Sequence, residues 1–80
     1  MDPISERLIT CFKTVFPGLP PAEIPAATHA SVALWDSVAA ITLANVIEDE
    51  FRIEVDLDLL PELDSFDRIR EYLNGLLRTP

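Results

Sequence analysis

Three stretches of the chain carry apolar side chains at steps of three and four residues, and this period limits the fold more than any other feature. Such steps place side chains on one face of an α-helix, so each stretch is predicted to be an amphipathic helix. The first covers residues 3–16, the second 37–51, and the third begins near Asp64 or Ser65. The predicted core positions are Ile4, Leu8, Cys11, Phe12, Val15 and Phe16, then Ala40, Leu43, Ala44, Ile47 and Phe51, then Phe66, Ile69, Leu73, Leu76 and Leu77.

Residues suited to helix ends flank these stretches. Asp2 with Pro3 is a helix start, because aspartate accepts hydrogen bonds from free amides and proline at the first helical position loses an N–H that has no partner. Pro17-Gly18 ends the first helix. Asp36 is the predicted N-cap of the second.

Residues 17–35 contain four prolines and little periodicity, which predicts a long connection and no regular element. Connections of this length are uncommon in compact domains and tend to be functional or disordered. The apolar residues of this segment are predicted to pack across the bundle: Leu19, Ile24, Val32, Leu34 and Trp35.

Between Phe51 and Leu59 apolar and polar residues alternate, which taken alone indicates a strand. No second stretch offers a strand to pair with it, so an extended loop with a short helical turn near 57–63 is the preferred interpretation. The fold class is therefore predicted as all-α. Residues 1–80 are predicted to form a single domain, a bundle of three long helices and one short helix with a long loop between the first two.

Composition excludes several classes of function. The single cysteine rules out an internal disulfide, and with one histidine beside it no zinc site is expected. Cys11 is predicted to fill the core and His29 to lie on a loop surface. Two glycines cannot form a phosphate-binding loop, and Pro61 stands where a calcium loop starting at Asp56 needs glycine. Neither an enzyme active site nor a metal site is predicted.

The formal charge of −8 opposes binding to nucleic acid. Residues 36–64 hold nine acidic side chains against Arg52 alone. This face either attracts basic partner proteins or is simply solvated. The absence of a basic leader and of an apolar run near 18–20 residues predicts a cytoplasmic monomer that does not insert into membranes.

Ser37 is the remaining candidate for chemistry. It follows Asp36 at the head of the second helix, where free amides and the helix dipole favour a phosphate ester on its hydroxyl. The Asp36-Ser37 dipeptide alone indicates no more than the start of a helix. Asp64-Ser65 is the same dipeptide and precedes the third helix. Only Ser37 follows the long apolar-rich loop and precedes a helix with a strongly acidic end.

At this point the stretch LWDSVAAITLANVIEDEFRIEV, residues 34–55, resembles the phosphopantetheine attachment region of acyl carrier proteins. In that family an Asp-Ser-Leu element begins a recognition helix that closes with an acidic cluster and a phenylalanine. LDSFDRIREYL, residues 63–73, is similar to the last helix of the family. The resemblance therefore covers nearly the whole chain.

The resemblance implies a carrier without enzymatic activity of its own. Ser37 would receive 4'-phosphopantetheine, and Asp36 would help a phosphopantetheinyl transferase to position Mg²⁺ and coenzyme A. Partner enzymes would be acyl-activating, acyl-transferring or ketosynthase-type proteins with basic docking patches. The implied docking residues are Val38 and Ile41 as the apolar part, with Glu48 and Asp49 pairing with Arg or Lys of the partner.

The resemblance also implies an acyl pocket between the second helix and the later ones, lined by Ile41, Ala44, Ile47 and residues near Leu59 and Leu63. Ala39 and Thr42 stand where many fatty-acid carriers have acidic residues, which favours a dedicated carrier in a specialised lipid, polyketide or related pathway. The alternative is a carrier-like interaction or regulatory module that is never modified and acts through its acidic helix.

Overall fold

The structure, a computed structural model, describes residues 3–77 and is all-α, as predicted. Helix α1 spans Pro3–Val15, α2 spans Ser37–Phe51 and α3 spans Phe66–Leu77. Two 3-10 helices lie between them, at Pro21–Ala26 and Leu57–Glu62. Within residues 3–77 there is no strand, so the alternation after Phe51 does not mark one. In the same range no helix is both long enough and apolar enough to cross a membrane. The predicted cap at Asp2 lies outside the described residues.

Helix α2 has the predicted bounds, and local interactions account for both ends. At its start the Asp36 carboxylate accepts a hydrogen bond from the Ala39 amide at 2.8 Å. At its end Arg52 adopts a left-handed conformation with φ of 56°, which costs a non-glycine residue roughly 1 kcal/mol. The Arg52 amide donates to the Glu48 carbonyl, so the turn that ends the helix satisfies one of its last carbonyls.

The core lies where α1 meets α2 and α3, and an aromatic cluster occupies part of it. The Phe12 ring is fully buried, with its centroid 5.4 Å from the ring centroids of both Trp35 and Phe66. Both contacts are edge-on, the arrangement that aromatic rings prefer. Phe16 completes the cluster, 6.0 Å from Phe12 and 5.8 Å from Trp35. The aromatic residues therefore join α1, the long connection and α3.

The connection between α1 and α2 corrects the sequence prediction, because it contains the 3-10 helix Pro21–Ala26. The Ala27 amide donates to the Ile24 carbonyl at 3.0 Å, a bond of 3-10 spacing. Proline fixes φ near −65°, a value that a 3-10 turn accepts, so the proline-rich segment is compatible with this element. Ile24, Val32 and Trp35 are buried as predicted, and Leu19 is half-buried.

Leu34 was predicted to pack across the bundle, and this is wrong, because it is 72% exposed. The Trp35 amide donates to the Val32 carbonyl and the Asp36 amide to the Leu34 carbonyl, each at 3.0 Å. These tight turns bring Val32 and Trp35 to the inner side of the segment and leave Leu34 on the outer side. The predictions for Leu76 and Leu77 are also only partly right, since both are 40% exposed in the last turn of α3.

Cys11 is buried in the core, as predicted, and we expect it to be chemically inert in the folded protein. Burial, and secondarily the negative charge of Glu50, raise the pKa of the Cys11 thiol to about 11. A rise of two units lowers the thiolate fraction at neutral pH by about 100-fold. A thiol-specific chromogenic reagent should therefore react slowly with native protein and rapidly in denaturant.

The same pKa shift makes a prediction for stability. The pKa of the Cys11 thiol is higher in the folded than in the unfolded protein, so burial of the neutral thiol costs no stability below about pH 9. The free energy of unfolding then falls as the pH rises from about 9 towards the folded pKa of about 11. A Cys11→Ser variant should lack this loss between about pH 9 and 11. An equal decline in both proteins over that range would contradict the prediction.

Candidate functional site

Ser37 lies in the first turn of α2, and its side chain is exposed. No other group in residues 3–77 forms a hydrogen bond with its hydroxyl. The residue opens onto a cleft of about 490 Å³. The cleft is lined by His29, Trp35, Asp36, Ser37, Ala40, Ile41, Leu57, Leu60, Pro61, Leu63 and Asp64. A group attached to this hydroxyl can therefore extend into solvent or lie along a largely apolar surface.

The backbone around Ser37 favours an anionic substituent. The Asp36 carboxylate accepts a hydrogen bond from the Ala39 amide, and the Asp36 carbonyl accepts one from the Ala40 amide at 2.9 Å. In the described part of the chain the amides of Ser37 and Val38 have no acceptor. These are the unpaired donors at the positive end of a fifteen-residue helix, which stabilise negative charge nearby.

The second Asp-Ser pair has a different environment. The Ser65 side chain is half-buried, and its Oγ accepts a hydrogen bond from the Arg68 amide at 3.1 Å. The backbone on either side is held by the long connection, since the His29 amide donates to the Asp64 carbonyl at 2.7 Å and the Phe66 amide to the Ala27 carbonyl at 3.0 Å. Ser65 is therefore an N-cap, and its hydroxyl is already in use.

The four residues predicted to contact partners occupy three kinds of environment. Val38 is 72% exposed and Ile41 is 47% exposed, so both offer apolar surface beside Ser37. Asp49 is exposed and makes no contact with a basic side chain in the described residues. Glu48 is half-buried, and its Oε2 accepts a hydrogen bond from the Val55 amide at 2.8 Å. The sequence does not predict this internal role of Glu48. The Glu48 carboxylate binds the amide of Val55, which lies beyond the end of α2, and helical spacing does not indicate such a contact.

Replacing Glu48 and Asp49 separately should distinguish an internal acid from a surface acid. Glu48→Ala removes the only acceptor of the Val55 amide within residues 3–77, which should lower the free energy of unfolding by roughly 1 kcal/mol. Asp49→Ala removes the same charge from an exposed position and should change it by less than about 0.5 kcal/mol. Urea denaturation monitored by circular dichroism measures both, and equal effects would contradict the assignment.

Glu50 is also engaged within the protein. Its Oε2 lies 2.9 Å from Arg7 Nε, and its carbonyl accepts a second hydrogen bond from the same guanidinium. The Arg7 guanidinium carbon lies 4.5 Å from the centroid of the Phe51 ring, a distance typical of a cation–π contact. Two of the three acids that close α2 thus bind groups of this chain, and Asp49 is the one left exposed.

A second, smaller cavity lies behind the cleft, between α2, the second 3-10 helix and α3, and its volume is about 20 Å³. Ala44, Ile47 and Leu63 line it, at the place where the sequence resemblance implied a pocket. Ile41 does not line this cavity, because it lines the outer cleft. Leu60 lines the cavity, whereas Leu59, near which the lining was expected, does not. The cavity and the cleft share Trp35, Ala40, Leu60 and Leu63, so these four residues form the wall between them.

Sequence reasoning missed several residues of this region. Leu57 is 55% exposed and lines the cleft onto which Ser37 opens. Tyr72 lines the inner cavity, and its hydroxyl accepts a hydrogen bond from the Asp56 amide at 3.1 Å, which ties the second 3-10 helix to α3. The only sequence signal for Leu57 is an apolar residue between two aspartates, which is too common to indicate a site.

Comparison with family models, with curated proteins and with solved structures gives no match to this chain.

Proposed function

We propose that this protein is an acyl carrier protein, with an acyl-carrier-type bundle and a 4'-phosphopantetheine arm on Ser37. The observation that carries the proposal is the exposed, unbonded Ser37 hydroxyl, which stands at the head of α2 and on the edge of the 490 Å³ cleft. A transferase has to reach this hydroxyl from solvent, and none of the described residues competes for it. The resemblance of residues 34–55 to the attachment region of the family supports the same assignment.

The residues around Ser37 fit such an arm. The phosphodiester would meet the free amides of Ser37 and Val38, and Asp36 would keep the first turn of α2 in place through its bond to Ala39. When bound, the arm supplies a terminal thiol that carries an acyl group as a thioester. Val38 and Ile41 would form the apolar centre of the surface on which partner enzymes dock, with Asp49 at the far end of the same helix.

The inner cavity is the proposed shelter for the start of an acyl chain. A volume of about 20 Å³ holds about one water-sized sphere, so a chain of several carbons requires α2 and the second 3-10 helix to move apart. The wall residues Leu60 and Leu63 lie half-buried between cleft and cavity, and their side chains would have to turn aside. Specialised lipid, polyketide or related synthesis is the proposed setting.

The alternative, an unmodified interaction module acting through its acidic helix, is less well supported. Glu48 and Glu50 are engaged by the Val55 amide and by Arg7, which leaves less free charge at the end of α2 than the sequence implies. Such a module would also bind its partner equally well after Ser37 is replaced. Loss of partner capture by Ser37→Ala therefore favours the carrier.

Co-expression with a broad-specificity phosphopantetheinyl transferase, followed by intact mass measurement, tests the proposal. The wild-type protein should gain the mass of one phosphopantetheine group. An unmodified wild type in the presence of a transferase that modifies a control carrier would overturn the assignment.

A further inference from the structure

His29 is the residue of the cleft that neither the sequence resemblance nor the proposed function uses. It lines the same cleft as Ser37, and its side chain is exposed. Among the cleft residues it is the only one whose side chain can carry a positive charge. Within residues 3–77 its imidazole forms no hydrogen bond and no ion pair.

An ordered turn holds His29 in this position. The Thr28 amide donates to Ser31 Oγ at 2.9 Å, and the Ser31 amide donates to Thr28 Oγ1 at 3.0 Å. The Val32 amide also donates to the Thr28 carbonyl at 3.0 Å, and the His29 amide donates to the Asp64 carbonyl at 2.7 Å. The backbone that carries the imidazole is therefore fixed to the start of α3, which lowers the entropy lost when the side chain binds a ligand.

Each of the two carboxylates of the cleft has a partner in the helix that follows it, a backbone amide for Asp36 and an exposed arginine for Asp64. Asp36 Oδ1 accepts the Ala39 amide at 2.8 Å, and Asp64 Oδ1 lies 3.5 Å from Arg68 Nε. The remaining lining residues bring no charged side chain: Trp35, Ser37, Ala40, Ile41, Leu57, Leu60, Pro61 and Leu63. An imidazolium at His29 would be the only cation lining the cleft, and an arm on Ser37 would add a phosphodiester to the two carboxylates that it could face.

We propose that His29, in its protonated form, binds the phosphodiester of the arm on Ser37 and holds the arm along the cleft. The inference rests on the proposed function and adds a residue that positions the arm. Charge-assisted hydrogen bonds of this kind are stronger than neutral ones, although salt screens them at an exposed site. Only a protonated imidazole binds the phosphodiester in this way, and a neutral one does not, so pH is the variable that tests the contact.

Phosphorus NMR of the modified protein tests this directly. A phosphodiester keeps its single negative charge between about pH 5 and 8, so its own protonation cannot move its resonance in that range. In the wild type the resonance should move with the protonation of His29, and the movement should shrink when salt is added. In His29→Gln it should stay constant, and in His29→Lys, which remains charged, it should stay at the low-pH position throughout.

The outcomes separate this inference from the proposed function. Absence of a phosphodiester resonance after transferase treatment would overturn both. A resonance that does not move in the wild type, or that moves equally in His29→Gln, would overturn the role of His29 and leave the carrier assignment intact. A His29→Lys resonance at the high-pH position would also count against charge pairing.

Discussion

Replacing Ser37 with alanine should abolish attachment of phosphopantetheine completely, because the hydroxyl oxygen is the atom that forms the phosphodiester. The variant co-expressed with a transferase should have the mass of the unmodified chain. The substitution should leave stability within about 0.5 kcal/mol, since the side chain is exposed and forms no hydrogen bond within residues 3–77. If Ser37→Ala is as stable as the wild type, its lack of modification is due to the missing hydroxyl and not to unfolding.

Ser65→Ala is the matched control, because Ser65 follows an aspartate at the start of a helix in the same way. Its hydroxyl caps α3, so the variant should lose roughly 1 kcal/mol of stability and still be fully modified. The two substitutions therefore have opposite effects on mass and on stability. Modification of Ser37→Ala, or an unmodified Ser65→Ala that is still folded by circular dichroism, would contradict the site assignment.

Replacing Phe12 with alanine should cause the largest loss of stability among the substitutions considered. Phe12 is fully buried and contacts the rings of Phe16, Trp35 and Phe66, so its removal leaves a cavity and takes away three ring contacts. Truncation of a buried phenylalanine costs roughly 3–5 kcal/mol. A domain of this size has roughly 4–12 kcal/mol in total, so the variant should be close to unfolding at 37 °C.

Trp35 provides the readout for this loss, because it is the single tryptophan of the chain and lies against Phe12. Its fluorescence should report a melting temperature lower by at least about 12 °C, taking roughly 4 °C for each kcal/mol. Leu34→Ala is the control, since Leu34 is also a large apolar residue and is the neighbour of Trp35 in sequence, but its side chain is 72% exposed. It should change stability by less than about 0.5 kcal/mol, and an effect as large as that of Phe12→Ala would show that the core is wrongly placed.

The sequence allowed accurate prediction where structure depends on neighbouring residues. The bounds of α2 follow from Asp36 as a cap and from an unbroken apolar period up to Phe51. The 3-10 helix in the long connection was missed, although a buried Ile24 between two prolines, Pro21 and Pro25, is in retrospect a signal for a short turn. Leu34 was misplaced because burial of a single apolar residue in a loop depends on turns that composition does not specify.

The same distinction applies to the candidate site. Ser37, Val38 and Ile41 are all exposed at one end of α2, the place where the resemblance implied an attachment site and the apolar part of a docking surface. The engagement of Glu48 by Val55, and of Glu50 by Arg7, depends on how segments distant along the chain meet. His29 is the clearest case, because its turn lies eight residues before Ser37 in sequence and only the folded connection brings it to the cleft.

By itself, the sequence determined an all-α fold and the positions of its three main helices, because helical period, caps and prolines act within a few residues. Only the tertiary structure decided which of the two Asp-Ser pairs has a free hydroxyl. Backbone bonds from Ala27 and His29 hold the segment around Ser65, whose hydroxyl caps α3, whereas Ser37 opens onto a cleft. The two pairs differ because Asp36 caps α2 and leaves Ser37 free, whereas Ser65 caps α3 in a segment whose backbone is held by bonds from the long connection.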